Sequence, residues 1–329
     1  MMAERKIIRG AKLEIVNFFF IGSIKRVTMY IERAMLRTKH RYFGLSMNLN
    51  SLPNAIIAGA PKCGTSSLYF WLSAHPEVKA SMVKETFFFA DEVNRFNRNA
   101  NIIDHTIDKY TSYFKSHDSN ESKIRIEATA PYIYYKNALK HIPVLASNPK
   151  VIFILREPSS RLYSQYRFES HRTKRIKMDW RDYAQDEVLR SHGDYEFYLR
   201  KWMEALGPDR IHVCTFESLV EKTNKCMIDI AEFLNIDSSF YKDYSFVQHN
   251  ETVAIKSKFI HRIGLLLQSY VPHSIQEKIL PFYLFFNSGK MPEKNPVDKN
   301  ILEGVKYEYQ ESIERLKLLF PDLNLDSWE

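Results

Sequence analysis

The segment from Ala55 to Leu72 constrains the fold more than any other part of the chain. It begins with an apolar run that ends at Gly59, passes through a short loop to Gly64, and continues as a helical pattern from Thr65. A helix that starts directly after a buried strand exposes unpartnered backbone N–H groups and the positive end of its dipole. Gly64 lets a ligand approach the backbone closely. The segment therefore predicts an α/β fold with an anion-binding loop at a strand end.

This loop is similar to a Walker A loop but differs from it in the position of the lysine. Gly59 and Gly64 have the Walker spacing, whereas Thr65 stands at the lysine position and Lys62 lies within the loop. At the end of another apolar strand, where a Walker-type enzyme carries a magnesium-binding Asp, this chain has Arg156. A guanidinium binds phosphate through a planar fork. The pattern therefore predicts a donor substrate that carries a second phosphate group besides the one at the loop, and that is bound without a metal.

Strand-like and helical patterns alternate along the rest of the chain. Further predicted strands are Lys123 to Ile126, Val151 to Leu155 and Ile211 to Phe216. Predicted helices are Lys109 to Lys115, Tyr132 to Ala146, Ser159 to Glu169, Tyr195 to Leu206, Leu219 to Leu234 and Val297 to Phe320. The alternation predicts one P-loop-like three-layer α/β domain over residues 51–329, with a central parallel sheet flanked by helices. Ligand groups are then expected at the carboxyl ends of the strands.

Two motifs together resemble the donor-binding signatures of sulfotransferases that use 3′-phosphoadenosine 5′-phosphosulfate (PAPS). The first is Pro61-Lys62-Cys63-Gly64-Thr65-Ser66-Ser67-Leu68, and the second is Arg156-Glu157-Pro158 with Ser164 eight residues after the arginine. Further matches lie at 75–76, 84–88, 127–132, 193–202, 233–236 and 325–328, in the order found in the family. The pattern is closest to that of the heparan sulfate and other carbohydrate sulfotransferases.

The resemblance implies transfer of a sulfuryl group from PAPS to a hydroxyl or amine of a carbohydrate, without a metal, leaving 3′,5′-bisphosphoadenosine (PAP). The residues implied for the 5′-phosphosulfate are Lys62, Cys63, Gly64, Thr65, Ser66 and Ser67. Arg156 and Ser164 are implied for the 3′-phosphate. Lys62 is also the predicted stabiliser of the leaving phosphate, although a simple anchoring role stays open. Cys63 stands at a position that requires only a small residue.

Glu85 aligns with the catalytic base of the resembled family, and Lys84 and Tyr132 are the predicted acceptor-binding residues. A structural ion pair between Glu85 and Lys84 is the alternative. Ala128 stands where heparan-type enzymes commonly have a lysine, so a highly sulfated heparan-like acceptor is not implied. The basic residues of segment 171–177 are compatible with contact to an acidic glycan or with a solvated loop.

The three cysteines, Cys63, Cys214 and Cys226, form no recognisable disulfide framework. Residues 227–329 contain no cysteine, whereas Golgi members of the resembled family usually carry a disulfide in that part. The sequence therefore favours a reducing compartment, a bacterial-type enzyme and a cytoplasmic location.

Most of the positive charge lies in the first 50 residues. Of the formal net charge of +8, residues 1–50 supply +7, from ten Lys and Arg against three Glu. An apolar stripe recurs there at steps of three and four: Leu13, Val16, Phe20, Ile24, Val27, Ile31 and Met35. This pattern predicts an amphipathic helical arm that binds the inner face of a membrane or an acidic polymer; docking on the catalytic domain is the alternative.

Two other functions stay open at this level. One is a P-loop kinase-like phosphotransferase, and the other is a non-catalytic protein that binds polyanions or membranes through the arm. Nucleic-acid binding is not predicted, because the residues after position 50 carry a net charge of only +1. The expected partner is a glycan or glycolipid acceptor, and the sequence does not determine the oligomeric state.

Overall fold

The computed structural model describes residues 51–114, 122–247, 254–255, 288–289 and 296–328. The strands are β1 (Ala55–Gly59), β2 (Val78–Ala80), β3 (Ile124–Ala128), β4 (Lys150–Leu155), β5 (Ile211–Thr215), β6 (Ala254–Ile255) and β7 (Ser288–Gly289). The α-helices are α1 (Thr65–Ser73), α2 (Ile107–Thr111), α3 (Lys136–His141), α4 (Pro158–Arg167), α5 (Trp180–Gln185), α6 (Glu187–Ser191), α7 (Tyr195–Leu206), α8 (Phe216–Glu221), α9 (Thr223–Leu234), α10 (Pro296–Glu308) and α11 (Gln310–Leu319). The predicted arm over residues 1–50 lies outside the described residues.

The first five strands form one parallel sheet in the order β2-β3-β1-β4-β5. In the central strand β1, Ala55 is in register with Ile126 of β3 on one side and Lys150 of β4 on the other. All five residues of β1 are buried, which explains its unbroken apolar run. Because the strands beside β1 are reached in opposite directions, its carboxyl end is a topological switch point, where α/β sheets bind ligands. The predicted parallel α/β architecture is confirmed.

Several predicted helices are shorter in the structure than the sequence pattern indicated. The pattern over 132–146 is divided into a 3₁₀ turn (Ala130–Tyr134), α3 and a second 3₁₀ turn (Ile142–Val144). Pro143, which lacks an N–H group, lies in that second turn. The pattern over 219–234 breaks at Lys222, and the C-terminal pattern breaks between α10 and α11 at Tyr309. The three-residue strand β2 was not predicted, because so short a run carries no clear periodicity.

Candidate active site

The loop between β1 and α1 presents backbone amides at the sheet edge. Lys62 and Gly64 both have left-handed backbone angles, with φ of 71° and 89°. Gly64 is the N-cap of α1 and supplies no side-chain cap. Among the described residues, no acceptor bonds the amides of Gly64, Thr65 and Ser66. These amides and the helix dipole make the loop an anion cradle.

A side chain at position 64 would also be tightly packed against its surroundings. A Cβ placed on Gly64 would lie 3.0 Å from Cδ2 of Phe216, and its positive φ is unfavourable for other residues. Thr65 and Ser67 are almost fully buried, while Ser66 is half-buried. The loop therefore offers a ligand its backbone amides together with the Ser66 hydroxyl.

Lys62 adds a cation to this cradle. Its Nζ lies 4.1 Å from the ring centroid of Phe168, and the Arg172 guanidinium lies 6.0 Å from the centroid of the same ring. Burial, together with repulsion from Arg172 and then Arg156, lowers the pKa of Lys62 to about 8. Glu85 acts on this pKa in the opposite direction. Glu85, the predicted base, and Lys62, the predicted stabiliser of the leaving phosphate, therefore lie within electrostatic range of each other.

The second signature meets the first at the neighbouring strand end. Arg156 follows β4, its Nη1 lies 3.5 Å from the backbone oxygen of Lys62, and its guanidinium lies 4.7 Å from the ring centroid of Phe216. The buried Tyr195 hydroxyl donates to the Arg156 carbonyl at 2.8 Å and lies 3.9 Å from Sγ of Cys63. Tyr195 therefore contacts the segments that follow both β1 and β4.

The residues after Arg156 fix the direction of α4. Glu157 caps this helix by accepting hydrogen bonds from the amides of Ser159 and Ser160, at 2.9 and 2.7 Å. The Glu157 amide donates to Glu217, whose other carboxylate oxygen accepts a hydrogen bond from the Trp328 indole at 3.0 Å. Trp328 thus binds the same carboxylate that accepts a hydrogen bond from the backbone of the second signature. Ser164 lies on α4 and is half-buried.

The Cys63 side chain lies beneath the loop. Its side chain is fully buried, its Sγ lies 3.5 Å from the Pro61 carbonyl, and its amide donates to the Ala60 carbonyl at 3.3 Å. Burial raises the pKa of the Cys63 thiol to about 11, which keeps it neutral. The Cys63 side chain thus packs beneath the loop, and contact of this residue with the donor stays a prediction.

The predicted acceptor side lies on the segment after β2. Lys84 Nζ donates to Glu85 Oε1 at 3.1 Å, and the Glu85 side chain is 37% exposed. Among the described residues, Oε2 of Glu85 has no hydrogen-bond partner. The Glu85 amide donates to the Ala128 carbonyl at 2.8 Å, which attaches this segment to the end of β3. Lys84 thus holds one carboxylate oxygen of Glu85, and the other has no protein partner among the described residues.

Tyr132 is not at the surface of this site. Its side chain is 0% exposed, and its hydroxyl lies 3.1 Å from Thr86 Oγ1 and accepts from the Phe89 amide at 3.3 Å. Tyr132 thus packs in the core beneath this segment, and its contact with the acceptor stays a prediction. Tyr135 is only partly buried, and Glu85 is among the charges that, after burial, raise its pKa.

Sequence reasoning also missed three residues of the donor side. Tyr195 lies within a matched segment, but nothing in its spacing indicates that it bonds the Arg156 carbonyl. Phe168 and Arg172 form the ends of a π-helical turn after α4, which brings them to Lys62. Of the basic stretch 171–177, it is Arg172 whose charge acts most strongly on Lys62.

Within the ranges that the structure describes, no group of three or more His, Cys, Asp or Glu side chains is arranged to hold a metal ion. None of the helices in those ranges combines the length and apolar character that crossing a bilayer requires.

Comparisons with known proteins identify the family of this chain. A model of the sulfotransferase domain family matches residues 52–260. The chain is 31% identical over 144 residues to the membrane-associated sulfotransferase kil1 of Dictyostelium discoideum, covering 44% of this chain and 28% of that protein. It is 24% identical over 199 residues to the human (Homo sapiens) bifunctional heparan sulfate N-deacetylase/N-sulfotransferase 3, covering 56% of this chain and 22% of that protein.

The matched region thus spans about a quarter of the length of these relatives. The crystal structure of a sulfotransferase from Alicyclobacillus acidocaldarius has the same fold, with a TM-score of 0.59 at 19% identity, covering 84% of this chain and 98% of that one. Since the family model covers more than half of the residues, the chain belongs to the sulfotransferase domain family.

Proposed function

We propose that this protein transfers a sulfuryl group from PAPS to a hydroxyl or amine of a carbohydrate acceptor. The observation that carries the proposal is the meeting of two anion-binding groups at adjacent strand ends. The amide cradle with Lys62 follows β1, and Arg156 follows β4 with its Nη1 at 3.5 Å from the Lys62 carbonyl. A nucleotide with phosphate groups at both its 5′ and 3′ positions matches such a pair of sites.

The donor side binds and neutralises phosphate. Lys62, Thr65, Ser66 and Ser67 hold the 5′-phosphosulfate with the Gly64 amide, and Arg156 with Ser164 holds the 3′-phosphate. PAPS supplies the SO₃ unit and a phosphate leaving group. Lys62 donates to the oxygen between sulfur and phosphorus and stabilises the negative charge that develops when that S–O bond breaks.

The acceptor side removes a proton. Glu85 takes the proton from the acceptor hydroxyl or amine through its open Oε2 as the new bond to sulfur forms. Lys84 holds Oε1 of Glu85 at 3.1 Å and orients the carboxylate. The products are a sulfated acceptor and PAP, and the proton remains on Glu85 until solvent removes it.

A glycan or glycolipid is the proposed acceptor, since the relatives include heparan sulfate N-sulfotransferases. A relative named as membrane-associated supports a peripheral membrane contact, which we assign to the basic residues 1–50 at the cytoplasmic face. Co-sedimentation with phosphatidylserine vesicles tests this: the full chain should pellet and a chain beginning at residue 51 should not, whereas equal pelleting would reject the assignment.

Label transfer tests the enzymatic proposal. The protein is incubated with PAPS labelled in its sulfate, in EDTA, with a panel of de-N-sulfated heparin, glycolipids and phenols. We expect label in a carbohydrate product. A parallel reaction with ATP and Mg²⁺ tests the kinase alternative, and phosphate transfer there without sulfate transfer would reject the proposal.

A further inference from the structure

Glu127, in β3, is a fully buried carboxylate surrounded by hydroxyl groups. Its Oε1 accepts hydrogen bonds from Thr86 Oγ1 at 2.9 Å and from Thr129 Oγ1 at 2.5 Å, and its Oε2 accepts from the Tyr110 hydroxyl at 2.8 Å. Among the described residues, no basic side chain forms an ion pair with it. Burial raises the pKa of the Glu127 carboxyl. The three hydroxyl donors offset the cost of keeping this polar group in the core.

Thr86 connects this carboxylate to the segment that carries Glu85. The Thr86 side chain is 1% exposed, and its Oγ1 also lies 3.1 Å from the Tyr132 hydroxyl and accepts from the Phe88 amide at 3.3 Å. The Tyr132 hydroxyl in turn accepts from the Phe89 amide. Side chains from β3 and the turn that follows it thus bind the backbone of residues 84–89, which we call the base loop.

The base loop has an unusual backbone that requires such support. Glu85 and Phe87 both have left-handed angles, with φ of 62° and 51°. Residues other than glycine adopt these angles where the surrounding structure fixes them. Here the Glu85 amide donates to the Ala128 carbonyl at 2.8 Å, and the Phe87 amide donates to Thr129 Oγ1 at 3.4 Å. The end of β3 therefore determines where the Glu85 side chain projects.

We propose that Glu127 is a positioning residue for the sulfuryl-transfer reaction: through Thr86 and Thr129 it holds the base loop so that the Glu85 carboxylate faces the acceptor. This inference rests on the proposed role of Glu85 as the base. Glu127 itself does not contact the substrate, because its side chain is 0% exposed.

Glu127→Gln keeps the shape of the side chain and replaces one acceptor oxygen by an NH₂ donor, which cannot accept from the surrounding hydroxyls. We expect kcat to fall about 10- to 100-fold, because a small displacement of a catalytic group costs this much. The Kd for PAP should change less than about twofold, because the donor cradle lies on β1 and β4. The kcat is measured with the acceptor that takes up most label in the label-transfer panel, and de-N-sulfated heparin is tested first.

Hydrogen exchange gives a measurement that does not depend on the acceptor. In Glu127→Gln the amides of residues 84–89 should exchange about tenfold faster, with the amides of residues 60–68 unchanged. Thr86→Val and Thr86→Ser form a matched pair that tests the positioning role if Glu127→Gln fails to fold. Thr86→Val removes the hydroxyl that donates to Glu127, so its kcat should fall about 10- to 100-fold. Thr86→Ser keeps a hydroxyl there, so its kcat should be close to that of the wild type.

Tyr241→Phe is the control for loss of a buried hydroxyl. The Tyr241 hydroxyl donates to the Trp71 carbonyl at 3.2 Å in another part of the core, so its loss should lower Tm and leave kcat unchanged. In a Glu85→Gln background, Glu127→Gln should have no further effect on the residual rate, since a positioning residue acts only through the group it positions.

Wild-type kcat and wild-type exchange at residues 84–89 in both Glu127→Gln and Thr86→Val would overturn the inference. So would a loss of PAP affinity equal to the loss of kcat, which would indicate a general structural role. If Glu85→Gln itself kept full activity, the proposed base would be wrong, and that result is distinct from a failure confined to Glu127.

Discussion

The donor side and the base loop are built in different ways. The donor side consists of short contiguous motifs at the ends of β1 and β4, and its proposed phosphate-binding groups are backbone amides and cationic side chains within those motifs. The base loop instead depends on side chains from β3 and its neighbours, which reach it from more than 40 residues away along the chain. Local sequence thus encodes the proposed phosphate site, whereas the orientation of the Glu85 carboxylate requires the folded core.

This contrast separates the effects of mutations: changes on the donor side should alter the affinity for PAP, and changes in the base loop should alter kcat. The largest expected effect is that of Glu85→Gln. Removal of a general base costs about 10²- to 10⁴-fold in rate, so kcat should fall by that range while the Kd for PAP stays unchanged. Rate assays with PAPS and calorimetry with PAP measure the two quantities.

The control for this variant is Glu92→Gln, a change at an exposed carboxylate on the same segment. It should leave kcat unchanged. Full activity in Glu85→Gln would reject the assignment of Glu85 as the base. The base loop would then have no role in catalysis that distinguishes it from the donor side.

On the donor side, Arg156→Ala should weaken PAP binding about 10- to 100-fold, since charge-assisted hydrogen bonds to phosphate contribute about 1.5–3 kcal/mol. Adenosine 5′-phosphosulfate, which lacks the 3′-phosphate, should bind the variant as it binds the wild type. The exposed Arg181→Ala is a matched control. Equal weakening for both nucleotides would place the 3′-phosphate site elsewhere.

The depressed pKa of Lys62 predicts a pH dependence of donor binding. Burial, Arg172 and Arg156 lower this pKa to about 8, and a bound polyanion should raise it, so binding should be strongest below pH 8 and weaken as the pH rises through 8. The loss is at most about tenfold per pH unit for a single proton. Calorimetry of PAP binding across this range measures it.

Two variants test the cause of this pH dependence. Arg172→Ala removes a repelling charge and should move the onset of weakening to higher pH, while Lys62→Arg, which keeps its charge, should give a flat profile. A wild-type profile without a change near pH 8 would contradict the assigned position of Lys62.

The smallest effect is expected for Cys63→Ala. The thiol is buried and neutral, so kcat and the Kd for PAP should stay within about twofold of wild type, and stability should fall by about 1 kcal/mol. Thermal unfolding and calorimetry measure these changes. Loss of turnover with an intact Tm would show that the thiol takes part in the chemistry.

The difference between the two regions also explains what the sequence could predict. The parallel sheet, the cradle before α1 and the position of Arg156 were predictable, because apolar runs, glycine positions and charges at strand ends act within a few residues. The burial of Tyr132 was not predictable, because the sequence does not show that its hydroxyl lies beside Thr86 in the core.

Other features escaped prediction for related reasons. The link from Tyr195 to the Arg156 carbonyl joins residues far apart in the chain, and Arg172 reaches Lys62 only through the π-helical turn that follows α4. The three hydroxyl groups that donate to Glu127 come from three chain segments, at Thr86, Tyr110 and Thr129. The amphipathic arm over residues 1–50 stays a prediction.

The central claim is that two adjacent strand ends bind the two phosphorylated ends of one nucleotide without a divalent ion. Isothermal titration of PAP into the wild-type protein in EDTA tests it most directly. We predict saturable binding with one site per chain, unchanged by added Mg²⁺ and weakened about 10- to 100-fold by Arg156→Ala. Absence of binding in EDTA, or binding that appears only with Mg²⁺, would contradict the claim.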